Sequence, residues 1–286
     1  MKYTLILLAT LLPWLSSAEI VAHKKIDDGG TGPYKAIVAS ESELPDYVIY
    51  RPINVQQAAK AAGQLPLIVF ANGACSDSSL EYERMLTEIA SHGYLIMTLG
   101  PIQHVAHDRP MKQSTNEQMP RAIDWMTAQN KRTDSDYFNA VELAHIAYAG
   151  HSCGGAQLLD MAAEPRVSTY MMFNSGIGDM TMARADRSSL LKLHAPVVYL
   201  VGGESDVAYK NALLDYERIA HVPVALANAI NGGHSGTFAE PNGGSFARMA
   251  LHWLNWQLKG QQADSAVFLQ ADLRKFPGWT MQSKQF

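Results

Sequence analysis

The most constraining feature of the chain is a regular alternation of apolar, strand-like runs with amphipathic, helix-like runs. The run LPLIVFA at 65–71 is apolar throughout, which is typical of a strand covered on both faces. Alternation of this kind predicts parallel strands joined by helical crossovers. We therefore expect an α/β fold with a mostly parallel central sheet, helices on both faces and no large lid domain.

The predicted elements follow one another without a repeat or a flexible linker. Strands are predicted at 47–52, 65–71, 94–99, 145–150, 167–173, 196–203 and 222–230, and helices at 80–93, 121–130, 153–163, 210–220 and 244–258. Ser78 and Glu81 have the spacing of a capping box, which predicts that the first of these helices begins there. Residues 19–286 are accordingly predicted to form a single domain.

The first eighteen residues have the organisation of a secretory signal peptide. Lys2 gives a positive start, residues 3–15 are mostly apolar, and Ser16, Ser17 and Ala18 form a small-residue exit. Because the apolar run is too short to span a bilayer, a removable signal peptide is predicted over 1–18. The mature protein is expected to be secreted or periplasmic, with no membrane span.

Composition and motifs exclude several other classes of function. A net charge of -4 gives no electrostatic basis for binding nucleic acid. The histidines lack metal-ligand spacing such as H-E-x-x-H. The glycine-rich stretches NGGHSG and PNGGSF match neither of two phosphate-binding patterns, G-x-x-x-x-G-K-[ST] and G-x-G-x-x-G after a strand. No nucleic-acid partner, metal or cofactor is therefore expected.

A five-residue motif joins the strand predicted at 145–150 to the following helix. Residues 150–154 read GHSCG and match G-x-S-x-G. A serine on such a tight turn needs neighbours without side chains, which Gly150 and Gly154 supply. The alternative interpretation is a close-packed turn in which Ser152 only caps the helix. The nucleophile hypothesis places Ser152 at the carboxyl edge of the sheet, at a helix N-terminus that favours negative charge.

A serine nucleophile needs a base, and the base needs an orienting acid. Asp206 and His234 each follow a predicted strand, and the order serine, acid, histidine is that of this motif class. Glu204 and Asp179 remain alternatives for the acid. We expect His151 to form part of the wall rather than to act as the base.

The cleft beside these residues is predicted to have two walls. The polar segment at 101–117 is expected to form one of them, with His104 and His107 among its candidate lining residues. The segment at 174–182 is expected to form the other.

Acyl transfer also needs two backbone N–H donors for the developing oxyanion. The N–H groups of Cys153 and Ala74 are the candidates, because the first follows the serine and the second lies in the loop after the strand at 65–71. Convergence of these groups would bring Cys75 close to Cys153. We therefore predict a Cys75–Cys153 disulfide, which an exported protein can form; two buried free thiols are the alternative.

The stretches VFANGACSDS, YAGHSCGGAQ, LVGGESDVAY and NGGHSGTF together resemble the α/β-hydrolase fold. More narrowly, the chain resembles secreted esterases near the dienelactone hydrolases, the platelet-activating-factor acetylhydrolase-like esterases and the cutinase-like polyester hydrolases. The resemblance implies that Ser152 is the nucleophile, Asp206 the acid and His234 the base. It also implies that Cys153 and Ala74 are the oxyanion donors.

Two departures bear on the substrate. Dienelactone hydrolases carry cysteine as the nucleophile, where this chain has Ser152. Polyester hydrolases usually carry an aromatic residue beside the oxyanion loop, where this chain has Ala74 and Cys75. The resemblance therefore implies ester hydrolysis without specifying the ester.

The predicted function is hydrolysis of a carboxylic ester through an acyl-enzyme, with either a small-molecule or a polymer-borne substrate. A non-catalytic binding module on the same scaffold is one alternative. A peptidase or amidase with the same triad is another, although the sequence shows no anchor for a peptide terminus. The sequence predicts no particular oligomeric state.

Overall fold

A computed structural model of the chain describes residues 19–106 and 108–286. The predicted signal peptide and His107 lie outside the described residues. The strands are β1 (Ile20–Lys24), β2 (Ala36–Glu41), β3 (Tyr47–Pro52), β4 (Leu65–Ala71), β5 (Leu95–Leu99), β6 (Val141–His151), β7 (Val167–Phe173), β8 (Val197–Val201), β9 (Val224–Ala229) and β10 (Trp279–Lys284). The α-helices are α1 (Val55–Ala62), α2 (Glu83–Ser91), α3 (Gln118–Lys131), α4 (Cys153–Asp160), α5 (Tyr209–Arg218), α6 (Gly244–Lys259) and α7 (Ala266–Leu269).

The strands form one sheet in the order β1-β2-β3-β5-β4-β6-β7-β8-β9-β10. Six neighbouring strands, β5, β4, β6, β7, β8 and β9, are parallel. At the two sides of the sheet, β1, β2, β3 and β10 pair antiparallel with their neighbours. All seven predicted strands are present, and the mostly parallel sheet is confirmed. Five further elements, β1, β2, β10, α1 and α7, were not predicted from the sequence.

Helices cover both faces of the sheet. Alternate residues of each central strand point to opposite faces and so contribute to two separate cores. In β4, Leu67 and Val69 join a core packed with residues of α1, α3, α4 and α5. The intervening Ile68 and Phe70 join a second core with residues of α2, α6 and α7. The prediction of helices on both faces is thus confirmed.

The start of α2 differs from its prediction. The side chains of Ser78 and Glu81 form no capping box; residues Leu80–Tyr82 form a 3₁₀ turn, and α2 begins at Glu83. Tyr82 is 2% exposed and has buried hydrogen-bond partners, whereas Glu81 is exposed at the rim of a cleft. Anchoring of the tyrosine in the interior therefore determines where the regular helix begins.

Parallel strands place the loops that follow them at a common edge of the sheet. The loops after β4, β6, β8 and β9 meet at this carboxyl edge and carry the candidate functional residues. None of the helices formed by residues 19–106 and 108–286 has the length and apolarity that a membrane crossing requires.

Candidate active site

Ser152 lies on a strained turn between β6 and α4. Its backbone has φ 52° and ψ −120°, a combination that residues other than glycine rarely adopt. The flanking glycines are required sterically: a Cβ on Gly150 would lie 2.4 Å from the carbonyl oxygen of Gly154, and one on Gly154 would lie 2.1 Å from that of Ala71. The turn therefore holds the serine at the carboxyl edge at the cost of strain.

A continuous hydrogen-bonded series connects three loops at this edge. His234 Nε2 lies 2.9 Å from Ser152 Oγ. On the other side of the ring, His234 Nδ1 lies 2.7 Å from Asp206 Oδ1. The structure thus brings together the three side chains that the sequence analysis selected as nucleophile, base and acid.

The carboxylate of Asp206 is fully buried and held by several donors. The N–H groups of Gly202 and Ala208 and the side-chain amide of Asn174 each donate to it, at 2.8 to 3.0 Å. Burial opposes ionisation, but the hydrogen bonds from His234 and these donors outweigh it and hold the pKa of Asp206 below its usual value. The site therefore keeps a negative charge against the imidazole.

The alternative acids are directed elsewhere. The carboxylate of Asp179 pairs with Arg218 at 2.7 Å and its side chain is 70% exposed. Glu204 is exposed on the loop after β8. Neither is a hydrogen-bond partner of His234 in the described residues, so the geometry favours Asp206.

The predicted disulfide between Cys75 and Cys153 is confirmed, with the two Cα atoms 5.1 Å apart. It joins the loop after β4 to the first residue of α4. Both Ala74 and Cys75 have positive φ, 53° and 48°, and the carbonyl of Cys75 accepts hydrogen bonds from the N–H and the hydroxyl of Ser114. The loop is thus fixed beside Ser152 by a covalent bond and by hydrogen bonds.

An open cleft of about 730 Å³ lies over Ser152 and His234, and Ala74 is among its lining residues. The segment at 101–117 forms one wall, as predicted, and contributes Gln103, Ala106, Arg109 and Met111. His104 is exposed and is not among the described lining residues.

The second predicted wall, at 174–182, is wrong. The described lining of the cleft includes none of its residues. Instead, the N–H groups of Ile177 and Gly178 donate to the buried carboxylate of Asp215 on α5, at 2.7 and 2.9 Å. This segment therefore packs along α5. Its first two residues reach the candidate site: Asn174 donates to Asp206, and the hydroxyl of Ser175 donates to the backbone carbonyl of Ser152 at 2.7 Å.

A family model described as PETase, PET hydrolase-like, matches residues 31–264, well over half of the chain. The chain belongs to this family. Membership confirms the expected α/β-hydrolase fold and the resemblance to polyester hydrolases, and the protein is a carboxylic-ester hydrolase. A search of the curated proteins found no match.

In this PET hydrolase-like protein, histidines distant from the site have other partners. His252 on α6 pairs with Asp264, and His92 lies 3.1 Å from the carboxylate of Glu88 at the end of α2. His145 lies in the amino-terminal part of β6, and half of its side chain is exposed. Among the described residues, His234 is the histidine whose ring is hydrogen-bonded to Ser152 Oγ.

Sequence reasoning missed two features of this PET hydrolase-like site. Arg109 anchors the cleft wall by donating to the carboxylate and the carbonyl of Asp77, at 2.6 and 2.7 Å. Tyr82 lies buried beneath the cleft and bonds to His151. Neither residue belongs to a motif, and their partners are distant in sequence, so the order of residues gave no signal for them.

Proposed function

We propose that the protein hydrolyses carboxylic esters through an acyl-enzyme formed on Ser152, with His234 as the base and Asp206 as the orienting acid. The observation that carries this proposal is the unbroken series of hydrogen bonds from Asp206 through His234 to Ser152 Oγ, at 2.7 and 2.9 Å. A buried, ionised Asp206 keeps Nδ1 of the imidazole protonated, so that Nε2 is free to accept a proton.

In acylation, Ser152 Oγ bonds to the ester carbonyl carbon as its proton passes to His234 Nε2. The carbonyl electron pair moves onto oxygen and forms a tetrahedral oxyanion. When the carbonyl re-forms, the bond to the alcohol oxygen breaks, and His234 returns its proton to the departing alcohol. Asp206 stabilises the imidazolium that exists between these two proton transfers.

In deacylation, water gives a proton to His234 Nε2 and its oxygen bonds to the acyl carbon. Collapse of the second tetrahedral intermediate breaks the bond to Ser152 Oγ, which regains its proton from His234. The net reaction consumes one ester and one water and gives one carboxylic acid and one alcohol.

We propose the N–H groups of Cys153 and Ala74 as the donors to the oxyanion. The Cys75–Cys153 disulfide supports this assignment, because it holds the two backbone segments that carry these groups side by side. The position of Cys153 at the start of α4 adds the positive end of the helix dipole.

The ester itself is proposed to be a small molecule or a unit exposed on a polymer. The cleft is open and combines apolar side chains such as Leu80 and Met111 with Ser152 and His234. Such a surface accepts a carbonyl at its centre and apolar groups along its length.

The protein is further proposed to be exported by a signal peptide at 1–18 and to form one domain from residue 19 to residue 286. The disulfide fits an oxidising compartment, and a single sheet includes strands from Ile20 to Lys284. Amino-terminal sequencing of the exported protein should give Glu19 as the first residue. An unprocessed amino terminus would contradict the export proposal.

The function is tested with p-nitrophenyl butyrate, a polyester film and a fluorophosphonate probe. We expect the wild type to hydrolyse the soluble ester and to be labelled, and Ser152→Ala and His234→Ala to lose nearly all turnover. Release of acid from the film distinguishes a polymer-borne from a small substrate. Esterase activity that survives intact in Ser152→Ala would overturn the proposal.

A further inference from the structure

We propose that Tyr82 and His151 form a buried relay that positions the oxyanion loop and the catalytic histidine relative to Ser152. The N–H of Gly73 lies 2.9 Å from Tyr82 Oη. Tyr82 Oη lies 2.8 Å from His151 Nδ1. His151 Nε2 lies 2.8 Å from the backbone carbonyl of His234.

The direction of each hydrogen bond in the relay is fixed by the chemistry of its ends. A backbone carbonyl only accepts, so His151 Nε2 carries the hydrogen and donates to the carbonyl of His234. The other nitrogen of a neutral imidazole then only accepts, so the hydroxyl of Tyr82 donates to His151 Nδ1. The phenol oxygen remains free to accept the N–H of Gly73. The relay is thus aligned head to tail from the loop after β4 to the loop after β9.

Both relay side chains are buried among apolar neighbours, and burial favours their neutral forms. Tyr82 and His151 are 2% and 3% exposed, and Phe238 packs edge-on against both rings. Burial lowers the pKa of His151 and raises that of Tyr82. A neutral pair is what the head-to-tail arrangement requires, since an imidazolium would present a second donor to the phenol.

The relay reaches the candidate site from both sides. His151 is bonded directly to Ser152 in the chain, Gly73 immediately precedes the proposed oxyanion donor Ala74, and the carbonyl of His234 belongs to the proposed base. A Cβ on Gly73 would lie 2.5 Å from His151 Nδ1, so the loop and the imidazole are already in close contact. Two adjoining side chains, Tyr82 and His151, therefore connect the loops after β4, β6 and β9.

The inference rests on the proposed hydrolysis through Ser152, and its test uses the full chain. Tyr82→Phe removes one oxygen atom, and we expect kcat for p-nitrophenyl butyrate to fall about tenfold with KM changed less than about twofold. His151→Phe should lower kcat on the order of 10- to 100-fold. His151→Gln, which keeps a donor for the carbonyl of His234, should retain more activity than His151→Phe.

A double-mutant cycle tests whether the two residues act as one unit. In the Tyr82→Phe/His151→Phe variant, we expect the loss in kcat to be clearly smaller than the product of the two single losses. Tyr94→Phe is the matched control, because Tyr94 also has a buried ring and its hydroxyl donates to Asn255 at 2.8 Å, far from the cleft. We expect its kcat to stay within about twofold of the wild type.

The outcomes separate this inference from the function on which it rests. Tyr82→Phe that matches Tyr94→Phe in kcat, or losses that multiply in the double variant, would overturn the relay while leaving the hydrolase intact. A wild type that neither hydrolyses the ester nor reacts with a fluorophosphonate would overturn both. If circular dichroism shows that His151→Phe does not fold, the comparison of kcat between Tyr82→Phe and Tyr94→Phe decides whether the relay contributes to turnover.

Discussion

At Asp206, two physical effects act in opposite directions. Burial disfavours the charged carboxylate, whereas three neighbouring donors and the imidazole of His234 favour it, and the donors prevail. The same donors also fix the position of the carboxylate, because they belong to three different segments: the N–H of Gly202 at the end of β8, the N–H of Ala208 before α5 and the side-chain amide of Asn174 after β7. Position and charge at this residue therefore have the same origin.

Asp206→Asn should lower kcat on the order of 10³- to 10⁴-fold with little change in KM, since an amide no longer selects the imidazole tautomer that accepts a proton from serine. Initial-rate kinetics on p-nitrophenyl butyrate measure the effect. Glu204→Gln, an exposed carboxylate on the same loop, serves as the control and should leave kcat unchanged. A large loss in Glu204→Gln with a small one in Asp206→Asn would reverse the assignment of the acid.

Asp215 is a second buried carboxylate, with a different effect on stability. Burial raises its pKa to about 6 despite hydrogen bonds from Ile177 and Gly178. The folded protein thus binds this proton more tightly than the unfolded chain does. Its stabilising contribution is complete below about pH 4 and is lost as the pH rises through about 6.

An asparagine side chain does not titrate, so the Asp215→Asn variant does not show this loss of stability as the pH rises. Between pH 4.5 and pH 7, its free energy of unfolding should increase relative to that of the wild type by on the order of 2 kcal/mol. Urea denaturation at both pH values measures the difference, with Glu217→Gln, an exposed carboxylate of the same helix, as the control. Parallel pH profiles in the wild type and Asp215→Asn would show that this carboxyl has no such role.

The sequence predicted individual residues where a short motif fixes their geometry. G-x-S-x-G predicted the turn that carries Ser152, and the strand order predicted that Asp206 and His234 lie near it, because parallel strands bring their carboxyl ends together; the three side chains are hydrogen-bonded in series. The hydrogen bonds that link Gly73 through Tyr82 to His151 were not predictable in this way. Tyr82 and Gly73 lie more than 60 positions earlier in the chain, and only packing of the second core against the sheet places the phenol beneath the imidazole.

Among the elements, the loop after β4 and the start of α4 behave as one unit because Cys75 and Cys153 join them. The disulfide closes a loop of 78 residues, for which chain entropy alone gives an upper figure of about 4.5 kcal/mol. Because the bond lies at the proposed oxyanion site, its loss should affect the reaction as well as the free energy of unfolding.

Reduction of the disulfide should lower kcat about tenfold or more under conditions that leave the far-ultraviolet circular dichroism unchanged. The measurement follows activity and circular dichroism together during titration with dithiothreitol. Cys75→Ser/Cys153→Ala, which lacks the bond, controls for direct effects of the reductant and should not respond to it. Activity that falls only when the secondary structure is lost would assign the bond to stability alone.

The elements that were missed have identifiable causes. The edge strands β1 and β10 pair on one side only and carry polar residues, as in WTMQSK at 279–284, so they lack the apolar signal of a central strand. The capping box at Ser78 failed for another reason: tertiary anchoring of Tyr82 shifted the start of the helix. Local sequence patterns thus predicted the central strands and the helices that cover them. They failed at the sheet edges and at the start of α2, where contacts between residues distant in sequence determine the structure.

For the molecule as a whole, β10 completes the sheet although it lies beyond the family match at 31–264. All six of its residues pair with β9. Trp279 packs against Phe246 and Phe276 at ring-centroid distances of 4.9 and 6.1 Å and is 7% exposed. The last strand therefore covers β9, from whose end the His234 loop emerges.

Trp279→Ala should lower the free energy of unfolding by about 3 kcal/mol, because it opens a cavity between β10 and α6. Gln282→Ala, an exposed position on the same strand, should change it by less than about 0.5 kcal/mol. Urea denaturation of the three proteins makes the comparison. Equal stabilities would show that packing of the Trp279 side chain contributes little to the stability of this edge of the sheet.

The most direct measurement is the trapping of the covalent intermediate. The wild type is mixed with p-nitrophenyl butyrate, quenched in acid within the first turnovers and analysed by intact-mass and peptide mass spectrometry. We expect one butyryl group, located on Ser152 and absent from Ser152→Ala. An acyl group on another residue, or rapid turnover of the ester without any acylated protein, would contradict the proposed acyl-enzyme mechanism.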